Sequence, residues 1–156
     1  MLFRSVEITA GKNLIVLDRL QDPGNIGTII RTAEAAGYGG AIIMKGSGDI
    51  YSPKAVRAAA GSILRLPVML AEEANDTAEV LLKNGKRIIS TKADAENDFR
   101  ETDLTGNTAL VIGNEGKGVS DEFISLSDET LRIPMKGEVD SLNAAVAAGI
   151  LMYSSI

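Results

Sequence analysis

The sequence predicts an α/β protein with a mostly parallel sheet and helices on both faces. Short, β-branched apolar runs alternate with helical patterns nearly throughout, as expected for strands buried on both sides. A chain of 156 residues, 45% of them hydrophobic, suits one domain with a single core rather than two.

Strands are predicted over 14–17, 41–44, 66–70, 87–91, 109–113 and 130–133. Between the first two, Ile26, Ile29, Ile30 and Ala33 form one apolar helical stripe, closed by Gly37. A second helix runs over 53–60, with proline at an N-terminal helical position. A third covers 75–84 with Gly85 after it, and an alanine-rich fourth covers 142–153. The polar, acidic stretch 93–107 reads as an irregular surface loop. Residues 1–13 read as a linker and 14–156 as the domain.

Composition excludes several chemistries. The chain has no cysteine and no histidine, which removes disulfides, Cys/His zinc sites, thiolate nucleophiles and Ser-His-Asp triads. No metal site is expected. The start carries no signal-like apolar run, and no stretch approaches a membrane span, so a soluble, cytoplasmic protein is expected. Net charge is −5, but residues 1–70 carry eight basic and five acidic side chains whereas 71–130 carry six and fourteen. A basic face in the first part is therefore compatible with an acidic whole.

Three loops follow predicted strands and hold glycine with polar residues, the place where open α/β sheets bind ligands. They cover 21–27, 113–120 and 134–143. Gly113 and Gly118 have Walker A spacing, but Val119-Ser120 stands where Lys-Ser/Thr is required, and no G-x-G-x-x-G occurs. Phosphate-loop and dinucleotide readings thus lack a motif. Taken singly, Asn25 and Ser141 read as N-caps of helices starting at Ile26 and Leu142, and Arg31 as a solvated surface cation. Arg31 lies four residues after Gly27 on the same helix face, and Gly27 is expected to leave room for its guanidinium to reach the first loop.

Together the loops resemble a known family. The stretch from Leu17 to Ala33, with Asn25-Ile26-Gly27 and Arg31, resembles motif 1 of the SpoU (TrmH-like) RNA 2'-O-ribose methyltransferases. Ile112-Gly113-Asn114-Glu115-Gly116-Lys117-Gly118 resembles motif 2, and Ile133-Pro134-Met135 with Ser141-Leu142-Asn143-Ala144 resembles motif 3. One mild departure is Ala144, where many relatives carry a β-branched residue.

The resemblance implies a SPOUT fold with a deep C-terminal trefoil knot, a homodimer, S-adenosylmethionine as cofactor and the ribose 2'-hydroxyl of ribosomal or transfer RNA as acceptor. It implies cofactor contacts from Gly113, Ile133 and Leu142, with Met135 and Thr91 nearby, and catalytic positions at Asn25, Arg31, Glu115, Ser141 and Asn143. Because free guanidinium scarcely deprotonates, Arg31 is read as a cation stabilising the developing alkoxide rather than as a base. Arg19, Lys45, Lys54, Arg57 and Arg65 are expected to contact RNA phosphates. An RNA-binding domain before residue 1 is expected, since many relatives have one. The rival reading is a knotted module that binds RNA or an adenosyl ligand without turnover.

Overall fold

A computed structural model describes Ile8 and residues 10–156. Seven strands form one sheet in the order β3-β2-β1-β6-β4-β7-β5, every neighbouring pair parallel. They are β1 Leu14–Asp18, β2 Gly40–Met44, β3 Val68–Ala71, β4 Arg87–Thr91, β5 Asn97–Asp98, β6 Thr108–Gly113 and β7 Glu129–Arg132. The central strands β1, β2 and β6 are buried along their whole length, which explains the apolar runs over 14–17, 40–44 and 109–113.

Alternate residues feed two cores. Ile15, Leu17, Ile43, Leu110 and Ile112 pack beneath α1 (Pro23–Ala35) and α5 (Ala144–Tyr153). Leu14, Val16, Ile42, Ile88 and Val111 face α3 (Ala74–Lys83) and α4 (Asp121–Leu126). The short α2 (Pro53–Ala59) lies against α1. Gly27 permits that packing, since a side chain there would collide with the Ala55 carbonyl and the Ala59 amide. The room expected above Gly27 for Arg31 is thus filled by α2.

Several local expectations are corrected. α1 begins at Pro23, not Ile26; its cap is Asp22, whose Oδ1 accepts the Gly24 amide at 2.7 Å. α5 begins at Ala144 and is capped by Asn143 rather than Ser141. In each case the capping residue, Asp22 or Asn143, combines a non-helical backbone with a side-chain oxygen placed to accept the first helical amides. The stretch expected as a loop over 93–107 holds β5 and a 3₁₀ turn, Phe99–Glu101, because β5 finds a partner in β7. The helix α4 has no counterpart among the predicted elements; Ser120 caps it and Phe123 anchors it in the core.

Ala148, Leu151 and Met152 are buried against α1, whereas Val146, Ile150 and Tyr153 lie on the outside. After β7, which lies beyond β4, the chain returns over β6 to place α5 on α1. The knot expected from the family depends on this return.

Of the segment read as a linker, residues 1–7 and Thr9 lie outside the described residues. Asn13 belongs to the fold: its side chain donates to the Leu104 carbonyl and accepts the Thr108 amide. Among the described residues no helix is long and apolar enough to cross a membrane.

Candidate active site

The carboxyl ends of the adjacent strands β6, β4 and β7 open into a cavity of about 1110 Å³. Thr91 ends β4, Gly113 ends β6, and Ile133 follows β7, so sheet order brings together residues that lie far apart in the chain. All five residues expected to hold the cofactor, Thr91, Gly113, Ile133, Met135 and Leu142, line this cavity. Glu115, Ser141 and Asn143 line it too.

Gly113 is fixed by its own loop. Asn114 and Gly118 form an antiparallel bridge, with the Gly118 amide donating to the Asn114 carbonyl at 2.8 Å and the reverse bond at 3.1 Å. This folds the loop so tightly that a Cβ at Gly113 would strike the Val119 amide and the Gly118 carbonyl. The Asn114 side chain finishes the turn, accepting the amides of Gly116 and Lys117 and donating to the Arg19 carbonyl. Beneath the turn, the buried Asp18 carboxylate accepts the Ser120 amide at 2.7 Å.

Glu115 joins this loop to the β1–α1 loop. One carboxylate oxygen accepts the Gln21 amide and the other the Asp22 amide, both at 3.1 Å. Burial pushes this carboxyl upward, but the two amides, its own amide and the Asn25 side chain together hold it below the usual glutamate value. Asn143 joins the third loop to the first turn of α1: its Nδ2 donates to Asn25 Oδ1 at 3.1 Å. Asn25 is absent from the cavity wall yet bonded to Asn143, which forms part of it.

Arg31 is exposed on α1, outside the cavity wall, and makes no hydrogen bond or ion pair with any described residue. The other expected cations divide by their partners. Arg57 is exposed and unpaired among the described residues, and Lys45 is 3.9 Å from Glu72. Lys54 is paired with Asp22 at 3.0 Å and Arg19 with Asp18 at 3.2 Å. Arg65 grips Glu34 with two donors, which lowers the Glu34 carboxyl and leaves the Arg65 charge largely matched.

Sequence reasoning named the 134–143 loop, which carries Asp140, but did not single out an acidic side of the cavity. Asp94 and Asp140 line it from connections and Asp121 from the start of α4, all turned inward only by the tertiary fold. Val139 and Ile124 add apolar wall. None of these belongs to a spaced motif that composition could have singled out.

A parallel α/β fold whose carboxyl-end cavity is knitted from three glycine- and asparagine-bearing loops defines the class of the SPOUT methyltransferases. The chain belongs to the SpoU rRNA Methylase family, whose model matches residues 12–153. It is 35% identical over 147 residues to the 23S rRNA (guanosine(2553)-2'-O)-methyltransferase RlmP of Bacillus subtilis, covering 94% of this chain and 59% of that protein. Its structure matches the SpoU methyltransferase AviRb of Streptomyces viridochromogenes, solved with AdoMet, at a TM-score of 0.90 and 34% identity, covering 96% of this chain and 61% of that one. A structure described as giving insight into the 2-OH methylation of C/U34 on tRNA matches at a TM-score of 0.84 and 30% identity, with 93% and 94% covered. The chain spans 56% to 59% of the curated relatives it matches.

Proposed function

We propose that this chain is an S-adenosylmethionine-dependent methyltransferase domain acting on a ribose 2'-hydroxyl of ribosomal or transfer RNA. The observation that carries the reading is the pair of ties, Glu115 to Gln21 and Asp22, and Asn143 to Asn25, which couple the cavity to the loop that precedes Arg31. The cavity fits the cofactor. Ile133, Met135 and Leu142 offer apolar walls, and Gly113 exposes backbone for a close approach. The carboxylates of Asp94, Asp121 and Asp140 suit a ligand bearing positive charge.

When bound, S-adenosylmethionine supplies a methyl group already activated by its sulfonium. The protein's part is to align the acceptor and lower the cost of its deprotonation. Asn25 and Asn143, locked to each other, set the mouth through which a ribose approaches. Arg31, with no carboxylate partner among the described residues, keeps its charge for the developing alkoxide and for an adjacent phosphate. Its guanidinium stabilises the anion without taking the proton, which passes to solvent.

The exposed stripe of Val146, Ile150 and Tyr153 on α5 supports a homodimer, since such an apolar row beside the site calls for cover. The deciding experiment is transfer of radiolabelled methyl from S-adenosylmethionine to total RNA, followed by mapping of 2'-O-methyl positions. Label at ribose 2'-oxygens is the expected result. Cofactor binding without transfer to any RNA would instead indicate a non-catalytic binding module.

A further inference from the structure

A second cavity of about 490 Å³ opens at the carboxyl ends of β2 and β3, and the proposed methyl transfer makes no use of it. Its floor is apolar, with Ile43, Met44 and Ile50. At its edge stand Tyr51, 68% exposed, and Leu70, 59% exposed. The remaining wall is acidic: Asp49 from the β2–α2 connection, and Glu72, Glu73 and Asp76 at the start of α3. Lys45, 3.9 Å from Glu72, is the one cation among the described residues that lines it. The Glu73 and Asp76 carboxylates make no hydrogen bond or ion pair with any described residue.

The β1–α1 loop lines neither cavity but is hydrogen-bonded to both. Gln21 donates through Nε2 to the Gly46 carbonyl, and the Gly48 amide donates to the Leu20 carbonyl at 2.7 Å. On its other side the same loop gives the Gln21 and Asp22 amides to Glu115. Arg19 stands in that loop with φ of 61°, a left-handed conformation uncommon outside glycine, and its stem lies against Gly46. Its guanidinium pairs with Asp18 through Nε, and no other described residue uses its remaining donors.

We propose that this second cavity is a nucleobase pocket that takes an unpaired guanine of the RNA, next to the ribose presented to the first cavity, with Arg19 facing the phosphate between them. The proposal rests on the methyltransferase reading above and extends it to a neighbouring nucleotide. Carboxylates accept hydrogen bonds and cannot donate them, so the occupant must bring donors. Phosphate is disfavoured, because three carboxylates already crowd the start of α3. A flat ring suits the apolar floor and can stack on Tyr51. Among the bases, guanine sets two donors side by side, N1–H and the 2-amino group, which match the two oxygens of one carboxylate. Uracil offers one donor between two carbonyls that a carboxylate repels. An arginine side chain shares the charge complementarity, but the stacking surface and the loop that ties this cavity to the methylation cavity favour a base.

The test is titration of the ¹⁵N-labelled chain with guanosine, inosine and uridine 5'-monophosphates, followed through the amides of Gly46, Ser47 and Gly48 without S-adenosylmethionine. Guanosine monophosphate is expected to shift these amides saturably, and inosine monophosphate, lacking the 2-amino group, to bind about tenfold more weakly. Combining Glu73→Gln with Asp76→Asn should weaken guanosine monophosphate about tenfold, while Tyr51→Ala should weaken all three nucleotides alike. Both sets of side chains are on the surface, and an unchanged spectrum elsewhere will report an intact fold. Equal response to guanosine and uridine monophosphates, shifts confined to the first cavity, no response at millimolar nucleotide, or tighter binding of arginine amide would overturn the proposal. Neither cofactor nor transfer is read in this experiment, so its failure is distinct from failure of the methyl-transfer assay.

Discussion

Asn143 and Asn25, 118 positions apart in the chain, are joined side chain to side chain at 3.1 Å, and Asn143 at the same time caps α5 by accepting the amides of Ala145 and Val146 at 2.9 and 3.2 Å. One amide group thus starts the last helix with its oxygen and fixes the first turn of α1 with its nitrogen.

The two roles separate by substitution. Asn143→Asp keeps the cap acceptor and removes the donor, so its melting temperature should stay near wild type while methyl transfer falls steeply. Asn143→Ala removes both and should also cost about 1 kcal/mol of stability. Paired thermal melts and transfer assays check this; equal transfer by Asn143→Asp and wild type would show that the bond to Asn25 is not needed for the reaction.

Glu115 sets a pH limit. Its carboxyl is held below the ordinary glutamate value of 4.5 because its amide and side-chain donors outweigh the opposing effect of burial. A depressed value means the tie to Gln21 and Asp22 is fully present at neutral pH and disappears as pH falls through the lowered value. Cofactor affinity measured from pH 7 down to about 4 should therefore fall in the acid range for wild type, whereas Glu115→Gln should be weaker at neutral pH and flatter across the range.

Arg31→Ala should abolish transfer and leave cofactor affinity within about twofold, because Arg31 lies outside the cavity wall. Arg31→Lys should rescue poorly, since an ammonium lacks the planar fork. Calorimetry with S-adenosylmethionine alongside transfer kinetics separates the two effects; wild-type turnover by Arg31→Ala would make Arg31 a plain surface residue.

Val146, 52% exposed at the start of the outer α5 stripe, is the position at which charge should disrupt a dimer without disturbing the core. Light scattering is expected to give a dimer mass for the wild-type chain and a monomer mass for Val146→Glu. A wild-type monomer at tens of micromolar would refute this interface.

Among the cations expected to meet RNA, Arg57 and Lys54 sit three residues apart on α2, but only Lys54 is already matched by an acidic neighbour, Asp22. Arg57→Glu should therefore weaken RNA binding more than Lys54→Glu. Removing one cation that neutralises a phosphate should reduce the slope of log affinity against log salt by about 0.7 to 0.9. Gel shifts at several salt concentrations measure both quantities.

Six of the strands and four of the helices were legible in the sequence, though not α4, because a strand buried on both faces carries a run of apolar residues, as in β1, β2 and β6. The three loops were legible because glycine and asparagine are needed wherever backbone turns tightly around a ligand site, as at Gly113 and Asn114. The two-residue β5 was hidden: it is too short for a periodic signal and exists only because β7 pairs with it. The outward face of α5 was equally hidden, since an alanine-rich helix apolar on most sides carries no pattern that says which side meets the core.

What the sequence determined by itself was therefore the class of fold and the identity of the loop residues, both consequences of local backbone and burial requirements. What only the tertiary structure decided was which of those residues meet. Sheet order sets β6, β4 and β7 side by side, so that Thr91, Gly113 and Ile133 face one cavity. The return of α5 over the sheet brings Asn143 to Asn25. Such meetings between distant positions depend on the path of the whole chain and leave no local periodicity from which to read them.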